Sequence, residues 1–155
     1  MQPRPIEILT KVCSEVLANL VFLFTEDAEP EVPTEDRWLE TTIGYFGPGG
    51  GRLGLLCPRG FAVLLAENLV GTHTRDGASQ SGADDAVKEF MNIVCGQFIT
   101  AAHGTGDVYN LTIPQVREHD EEPSGSGPQE STTALNVEGH RIVLWYEATA
   151  PAAVC

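Results

Sequence analysis

One predicted helix of this sequence carries an acid and an amide at a spacing that places both on the same side. The helix runs from Asp84 to about His103, and Glu89 and Asn92 lie three residues apart within it. Side chains three apart on a helix are neighbours on its surface. A carboxylate can pair with a cation and an amide can orient a water molecule, so the two could complete a reaction whose other groups belong to a bound partner.

The apolar residues of this helix predict which side faces the core. At about 100° per residue, one broad side is apolar, and it consists of Val87, Phe90, Met91, Val94, Cys95, Phe98, Ile99 and Ala102. The opposite side forms an exposed polar ridge of Asp85, Glu89, Asn92, Gly96 and His103. Ile93 lies beside this ridge, and the wheel gives it no evident place in the core.

The ridge contains residues that the helix does not need for its own stability. An exposed Asn costs up to about 0.7 kcal/mol relative to Ala in a helix interior, and Gly96 about 1 kcal/mol. Gly96, one turn beyond Asn92, would let the backbone of a partner approach closely. These residues favour a contact surface, although a merely solvated face remains an alternative on these grounds.

Other kinds of catalytic site find little support. The run from Gly47 to Gly51 lacks a following Lys-Ser or Lys-Thr and is interpreted as a hairpin turn rather than a phosphate loop. The four histidines are scattered without metal-ligand spacing. Cys95 falls on the apolar side of its helix, which favours a core thiol over a nucleophile. We therefore predict no metal or organic cofactor of the chain's own.

Composition narrows the choice of partner and compartment. Nine basic residues stand against 22 acidic ones, for a net charge of −13, which would repel nucleic acid and anionic membranes. Charged residues interrupt the apolar segment from Pro5 to Phe24 at helical spacing, so it is predicted to be an amphipathic helix rather than a membrane span. Four widely spaced cysteines and no cleavable leader predict reduced thiols and a cytoplasmic location.

The pattern along the chain predicts one α+β domain over residues 1–155. We expect helices over Pro5–Phe24, Pro58–Gly71 and Asp84–His103, and strands over Trp38–Phe46, Arg52–Cys57, Val108–Val116, Thr132–Val137 and Arg141–Tyr146. Residues 26–36 and 118–130 are predicted to be acidic loops. Each half has a long helix followed by strands, which indicates a weak duplication around one antiparallel sheet.

At these positions the sequence resembles the CheC/CheX family of chemotaxis phosphatases, and more closely its CheX branch. The family pattern is Asp or Ser, three residues, Glu, two residues, Asn and, further on, Pro. The matching positions here are Asp85, Glu89, Asn92 and Pro114. The resemblance implies a duplicated CheC-like fold and often a homodimer.

The same resemblance implies a function. The partner would be a phosphorylated CheY-like receiver domain of a response regulator, which supplies the magnesium. In that family the acid pairs with the lysine of the receiver and the Asn directs water onto the aspartyl phosphate, which here implies Glu89 and Asn92. Asp85, Ile93 and Gly96 would then be partner-binding residues.

Two competing functions remain at this point. One is a non-catalytic module of the same fold that binds a receiver or dimerises within a two-component pathway. The other is a small-molecule binding domain, which no sequence feature supports. The intact Asp85, Glu89 and Asn92 favour the phosphatase over the first alternative.

Overall fold

The computed structural model describes residues 3–26, 37–69, 80–120 and 131–149. These ranges contain three helices, α1 (Pro5–Leu20), α2 (Arg59–Leu69) and α3 (Gln80–His103). They also contain seven strands, β1 (Thr25–Glu26), β2 (Trp38–Phe46), β3 (Gly50–Pro58), β4 (Asn110–Leu111), β5 (Gln115–His119), β6 (Thr132–Val137) and β7 (His140–Ala148).

The strands form one antiparallel sheet whose order reflects two related halves. The order is β1-β6-β7-β3-β2, and β4 and β5 both pair with the far side of β2. Exchanging β1 with β5, β6 with β2 and β7 with β3 gives the same order read from the opposite edge of the sheet. Each half donates its outer strand to the hairpin of the other half. The prediction of an α+β fold with duplicated halves sharing one sheet is therefore confirmed.

The two faces of the sheet differ in what covers them. Because strand side chains alternate, Leu39 and Ile43 of β2 point to the face on which α1 and α3 pack, and they join the main core there. We call this the helix face. Trp38, Glu40 and Thr42 point the other way, to what we call the second face. Trp38 belongs to a separate small cluster of buried residues.

Local chemistry explains how the long helices begin and end. Pro5 opens α1, where its missing N–H is harmless, and a Glu7 carboxylate oxygen accepts a hydrogen bond from the Arg4 N–H at 3.2 Å. Helix α3 ends at His103 and is followed by Gly104, whose φ of 78° suits glycine and whose N–H donates to the Thr100 carbonyl at 3.0 Å.

Several element boundaries differ from the predictions. Helix α1 ends at Leu20 rather than Phe24, and the chain turns at Phe22, which has a φ of 58°. Helix α3 begins at Gln80, four residues before the predicted start. Glu26, expected in an acidic loop, belongs to β1 and pairs with Asn136 of β6. The rest of that loop, residues 27–36, lies outside the described residues.

The predicted strand over Val108–Val116 is wrong as a single element. Between the pairs Tyr45–Leu111 and Thr42–Gln115, two residues of β2 face three of the opposite chain, so one residue is extra. This is a β-bulge, and it lies at Pro114, which has no N–H to donate to a ladder. The bulge divides the segment into β4 and β5.

The second acidic loop is also shorter than predicted. Glu118 and His119 are the last residues of β5 and pair with β2. Arg37 lies beside them, with Nε 3.0 Å from a Glu118 carboxylate oxygen and Nη2 3.1 Å from one of Asp120. Residues 121–130 lie outside the described residues. The β6–β7 hairpin was predicted correctly, and its turn at Glu138 and Gly139 has positive φ at both residues.

Candidate active site

Helix α3 is held in place by the side chains opposite the polar ridge. It packs against α1, α2 and the strands at the β2 edge of the sheet. The residues that make these contacts have no exposed surface, and they include Val87, Phe90, Met91, Val94, Cys95 and Phe98. Burial of this many side chains fixes both the rotation and the position of the helix. The apolar side predicted from the wheel is confirmed.

The ridge faces away from this core. Asp85 and Glu89 are exposed, and Asn92 and Gly96 are partly exposed. Among the residues described, neither the Glu89 carboxylate nor the Asn92 amide has a hydrogen-bond or ion-pair partner. Side chains at this spacing have Cβ atoms about 5–6 Å apart, so both can reach one small group on a docked molecule.

Gly96 leaves open space one turn beyond Asn92. A Cβ built on Gly96 would meet no atom within 4 Å outside its own helical turn. Packing among the described residues therefore gives no reason for glycine here, although alanine would favour the helix. The absence of a side chain leaves the helix backbone accessible to another molecule.

Ile93 departs from the expectation drawn from the wheel. It is half-buried and packs against the main core. The statement that it lacks a place in the core is therefore wrong. The long side chain reaches inward from the border of the ridge, and only its remaining surface is open to a partner.

His103, the last residue of α3, is tied into an aromatic cluster. Its Nε2 lies 2.8 Å from the Tyr45 hydroxyl, and its ring stacks on Tyr109 at 5.1 Å between centroids. The ring thus joins the end of α3 to β2 and to the chain just before β4. Sequence reasoning placed His103 on the ridge but could not find these contacts, because Tyr45 and Tyr109 are distant in sequence.

Asp84 lies one residue before the ridge and is partly buried. Burial raises the pKa of the Asp84 carboxyl, the positive charge of Lys88 opposes this rise, and the negative charges of Glu118 and Asp85 add to it. One of its carboxylate oxygens is buried and has no hydrogen-bond partner in the part of the chain that the structure describes. The sequence reading missed this residue, which borders the site but faces the sheet edge.

The structure offers no competing nucleophile or metal centre in the ranges it describes. Cys95 is fully buried, and burial raises the pKa of its thiol to about 12. A thiol in that state is not ionised at neutral pH and is unreactive. No three His, Cys, Asp or Glu side chains of the described residues are grouped so as to hold a metal ion. Likewise, no helix described here is long and apolar enough to cross a membrane.

The chain has the fold of CheX and CheC-like proteins of known structure. The chain superposes on the chemotaxis protein CheX from Desulfovibrio desulfuricans with a TM-score of 0.69 at 15% identity, covering 94% of this chain and 99% of that one. A CheC-like superfamily protein from Shewanella sp. PV-4 gives a TM-score of 0.64 at 16% identity, with 95% and 99% covered.

A third structure with this fold comes from a complex. A chain of the CheX-CheY-BeF3-Mg+2 complex from Borrelia burgdorferi matches with a TM-score of 0.66 at 18% identity, covering 96% of this chain and 100% of that one. At these identities the three likenesses establish the fold.

The sequence itself identifies the family. Residues 40–131, more than half of the chain, match the family described as chemotaxis phosphatase CheX, and the chain belongs to this family. The matched range contains all of α3 together with Pro114. No curated protein sequence matches the chain significantly.

Proposed function

We propose that this chain is a phosphatase that hydrolyses the aspartyl phosphate of a CheY-like receiver domain. The observation that carries the proposal is the pair of Glu89 and Asn92, which have no partners among the described residues and stand on a rigidly packed helix of a CheX family member. Groups held in position without internal partners are available to a docked substrate.

The two residues have different tasks. Glu89 pairs with the lysine of the receiver and holds the two proteins in register. Asn92 binds a water molecule through its amide and directs the water oxygen at phosphorus. As the new P–O bond forms, the bond to the aspartyl oxygen breaks, which leaves inorganic phosphate and a free aspartate on the receiver. Magnesium bound to the receiver neutralises charge on the phosphoryl oxygens.

The remaining predicted contacts surround this pair. Asp85 lies one turn before Glu89, and Gly96 lies one turn after Asn92, so a receiver seated on the pair covers both. Gly96 admits a close backbone approach because no residue that the structure describes fills the space beside it. Ile93 contributes only the part of its side chain that the core leaves exposed.

The partner assignment is supported from outside the chain. The Borrelia burgdorferi structure places a protein of this fold in a complex with CheY, BeF3 and magnesium. Because this chain belongs to the same family and its ridge is open to solvent, we infer that it binds a partner of the same kind. A cytoplasmic location follows from this proposal, because response regulators act there.

We also propose that the chain forms a homodimer through exposed apolar residues around β4. Val108 and Ile113 are 81% and 84% exposed, and Phe46 and Leu111 of the β2–β4 pair are 53% and 39% exposed. Exposed apolar residues clustered at a strand edge are typical of an interaction surface. We expect the chain to sediment as a dimer and Ile113→Asp as a monomer. Loss of receiver binding without a change in mass would assign this patch to the receiver instead.

The proposed function is tested by phosphate loss from receivers. The purified chain is incubated with several phosphorylated receivers from the same source, with magnesium, and inorganic phosphate is followed over time. We expect faster loss for at least one receiver and a much smaller effect with Asn92→Ala. If a receiver binds but no receiver loses phosphate faster, the chain is a non-catalytic receiver-binding module.

A further inference from the structure

A polar groove lies on the second face of the sheet, on the side opposite α3. It has a volume of about 310 Å³ and is formed by side chains of β2, β3, β5 and β7. Its lining includes both charges and an indole, from Glu40, Thr42, Arg52, Arg117, Trp145 and Glu147. This volume is at the lower end of the range for small-molecule sites.

Strand register explains how the groove is formed. Thr42 of β2, Gly54 of β3 and Trp145 of β7 lie side by side in one row across the sheet. Gly54 has no side chain, and a Cβ there would collide with the indole ring, including its Nε1. The indole of Trp145 therefore lies across β3, with its N–H edge over Gly54 and beside the groove.

The Trp145 N–H is an unmet hydrogen-bond donor. Trp145 is only 3% exposed, and its Nε1 is buried without an acceptor among the described residues. Buried side-chain donors nearly always have a partner, and an exception calls for an explanation. Because the Trp145 ring lines a groove large enough for a small molecule, a ligand whose acceptor atom reaches the indole edge would supply the missing partner.

The charges around the groove indicate what kind of ligand fits. The guanidinium carbon of Arg52 lies 5.4 Å from the centre of the Trp145 ring, and Nη1 of Arg52 is 3.8 Å from a Glu147 carboxylate oxygen. Arg117 faces Glu40 in the strand register, but a Glu40 oxygen lies 3.2 Å from His119 Nε2 instead. Arg117 has no ion-pair partner among the described residues.

We propose that this groove binds a small zwitterion, of which a free α-amino acid is the simplest example. Its carboxylate accepts hydrogen bonds from Trp145 Nε1 and from the Arg117 guanidinium, which suits carboxylate geometry. Its ammonium group lies against the Glu40 or Glu147 carboxylate. A simple anion would meet both glutamates on a chain of net charge −13, and a simple cation would leave the indole N–H unmet.

The binding test uses the tryptophans themselves. The chain has two tryptophans, and Trp38 does not line the groove, so Trp38→Phe leaves Trp145 as the only indole reporter. Each common amino acid is titrated into Trp38→Phe while Trp145 emission is followed, and calorimetry on the wild-type chain gives the affinity. We expect at least one amino acid to saturate the signal. The matching acid without its amino group should bind about tenfold more weakly, since it loses one charged contact.

Two variants test whether the ligand binds in the groove. Trp145→Phe keeps an aromatic ring but removes the N–H, and Arg117→Gln removes an exposed charge with little effect on folding. By calorimetry each should weaken binding about tenfold, whereas Lys11→Gln on α1 should leave it unchanged. Thermal unfolding checks that each variant is folded. If Trp145→Phe is unfolded, the affinity of Arg117→Gln alone tests whether the ligand binds in the groove.

Three results would overturn the proposal. The first is that no amino acid gives a saturable signal. The second is that simple carboxylates or amines bind as tightly as the amino acid, which would contradict a zwitterion site. The third is that Arg117→Gln binds with wild-type affinity, which would place the ligand elsewhere on the chain.

Discussion

At the scale of single residues, the site is notable for what its side chains do not contact. Glu89 and Asn92 have no internal partners among the described residues, whereas Glu7, Glu40 and Glu118 all pair with basic residues. An unpaired side chain on a rigid helix can move to its partner without breaking an existing bond. This arrangement favours a site that is completed by another protein.

The proposed roles predict that rate and affinity respond differently to mutation. In its proposed role Asn92 acts on water mainly in the transition state, and an interaction made only there affects turnover rather than binding. Asn92→Ala should therefore lower the maximal dephosphorylation rate by about tenfold to a hundredfold, if one water-orienting contact is worth about 1.4 to 2.7 kcal/mol. Single-turnover phosphate release measures this rate.

Glu89→Ala should instead reduce the affinity for the receiver. A hydrogen bond to a charged group contributes about 1.5–3 kcal/mol, so Kd should rise about tenfold to a hundredfold. Turnover should fall only to the extent that the same contact positions the receiver during the reaction. Titration with a receiver held in its phosphorylated-state form measures affinity separately. An Asn92→Ala chain that loses rate only because it no longer binds would show the water-positioning role to be wrong.

The orientation of these residues could be predicted from sequence, but their surroundings could not. Helical periodicity alone indicated that Phe90 faces the core and Glu89 faces solvent, because the apolar stripe is broad and unbroken. The same wheel gave Ile93 no place in the core, because it considers only the direction of a side chain and not how far the side chain reaches. The contact between His103 and Tyr45 joins residues far apart in sequence, and no local pattern indicates it.

At the scale of elements, α3 packs beside two short strands, β4 and β5, that the sequence pattern does not separate. A run of apolar and β-branched residues from Val108 to Val116 is typical of one strand, and only the backbone chemistry of Pro114 interrupts it. The resulting bulge leaves Ile113 84% exposed while Pro114 is buried. Periodicity predicts which elements exist more reliably than how they are broken.

Gly96 provides a test of α3 as a docking surface. Gly96→Ala adds a methyl group that meets none of the residues in the described ranges, so it should raise the free energy of unfolding by about 1 kcal/mol through helix propensity. If a receiver backbone approaches here, the same methyl group should weaken receiver binding. Thermal unfolding and titration measure the two effects, with exposed Gln97→Ala as the control. Higher stability with unchanged binding would remove Gly96 from the interface.

Asp84, in the first half of α3, should make stability depend on pH. Its pKa in the folded chain is raised by burial, so its ionisation destabilises the fold as pH rises through that pKa. Asp84→Asn removes this ionisation and should unfold at a higher temperature than wild type near neutral pH. The difference should shrink as pH falls toward the ordinary carboxyl pKa of about 3.9, where both side chains are neutral.

Asp85→Asn serves as the matched control for this pH series, because Asp85 is exposed on the next position of the helix. It should show little change in stability at any pH. If Asp84→Asn were instead less stable than wild type at neutral pH, attraction of the Asp84 carboxylate to Lys88 and Arg59 would outweigh the effect of burial.

At the scale of the whole molecule, the sequence revealed the duplication but not its consequences. Two helix-plus-strand halves are visible in the pattern, yet the exchange of β1 and β5 between the halves appears only in the strand order. The groove on the second face likewise depends on register across β2, β3 and β7. Contacts between distant strands are not encoded in any local pattern, so these features could not be predicted.

The duplication raises the question of whether α1 carries a second active site, and we predict that it does not. Glu15 and Asn19 of α1 are exposed, and α1 packs on the same face of the sheet as α3. However, these two residues lie four apart rather than three, and Ala18 occupies the position that Asn92 has relative to Glu89. Asn19 also lies in the last turn of α1, where the helix ends at Leu20.

Asn19→Ala should therefore keep the full dephosphorylation rate, although, like Asn92→Ala, it removes an Asn from the surface of a helix. Both variants should unfold within about 1 kcal/mol of wild type, because the change is on the surface and alanine favours a helix. Single-turnover phosphate release from the same receiver compares them directly, and a double variant should be no slower than Asn92→Ala alone. A rate loss in Asn19→Ala comparable to that of Asn92→Ala would mean that both halves are active and that the spacing of three residues is not required.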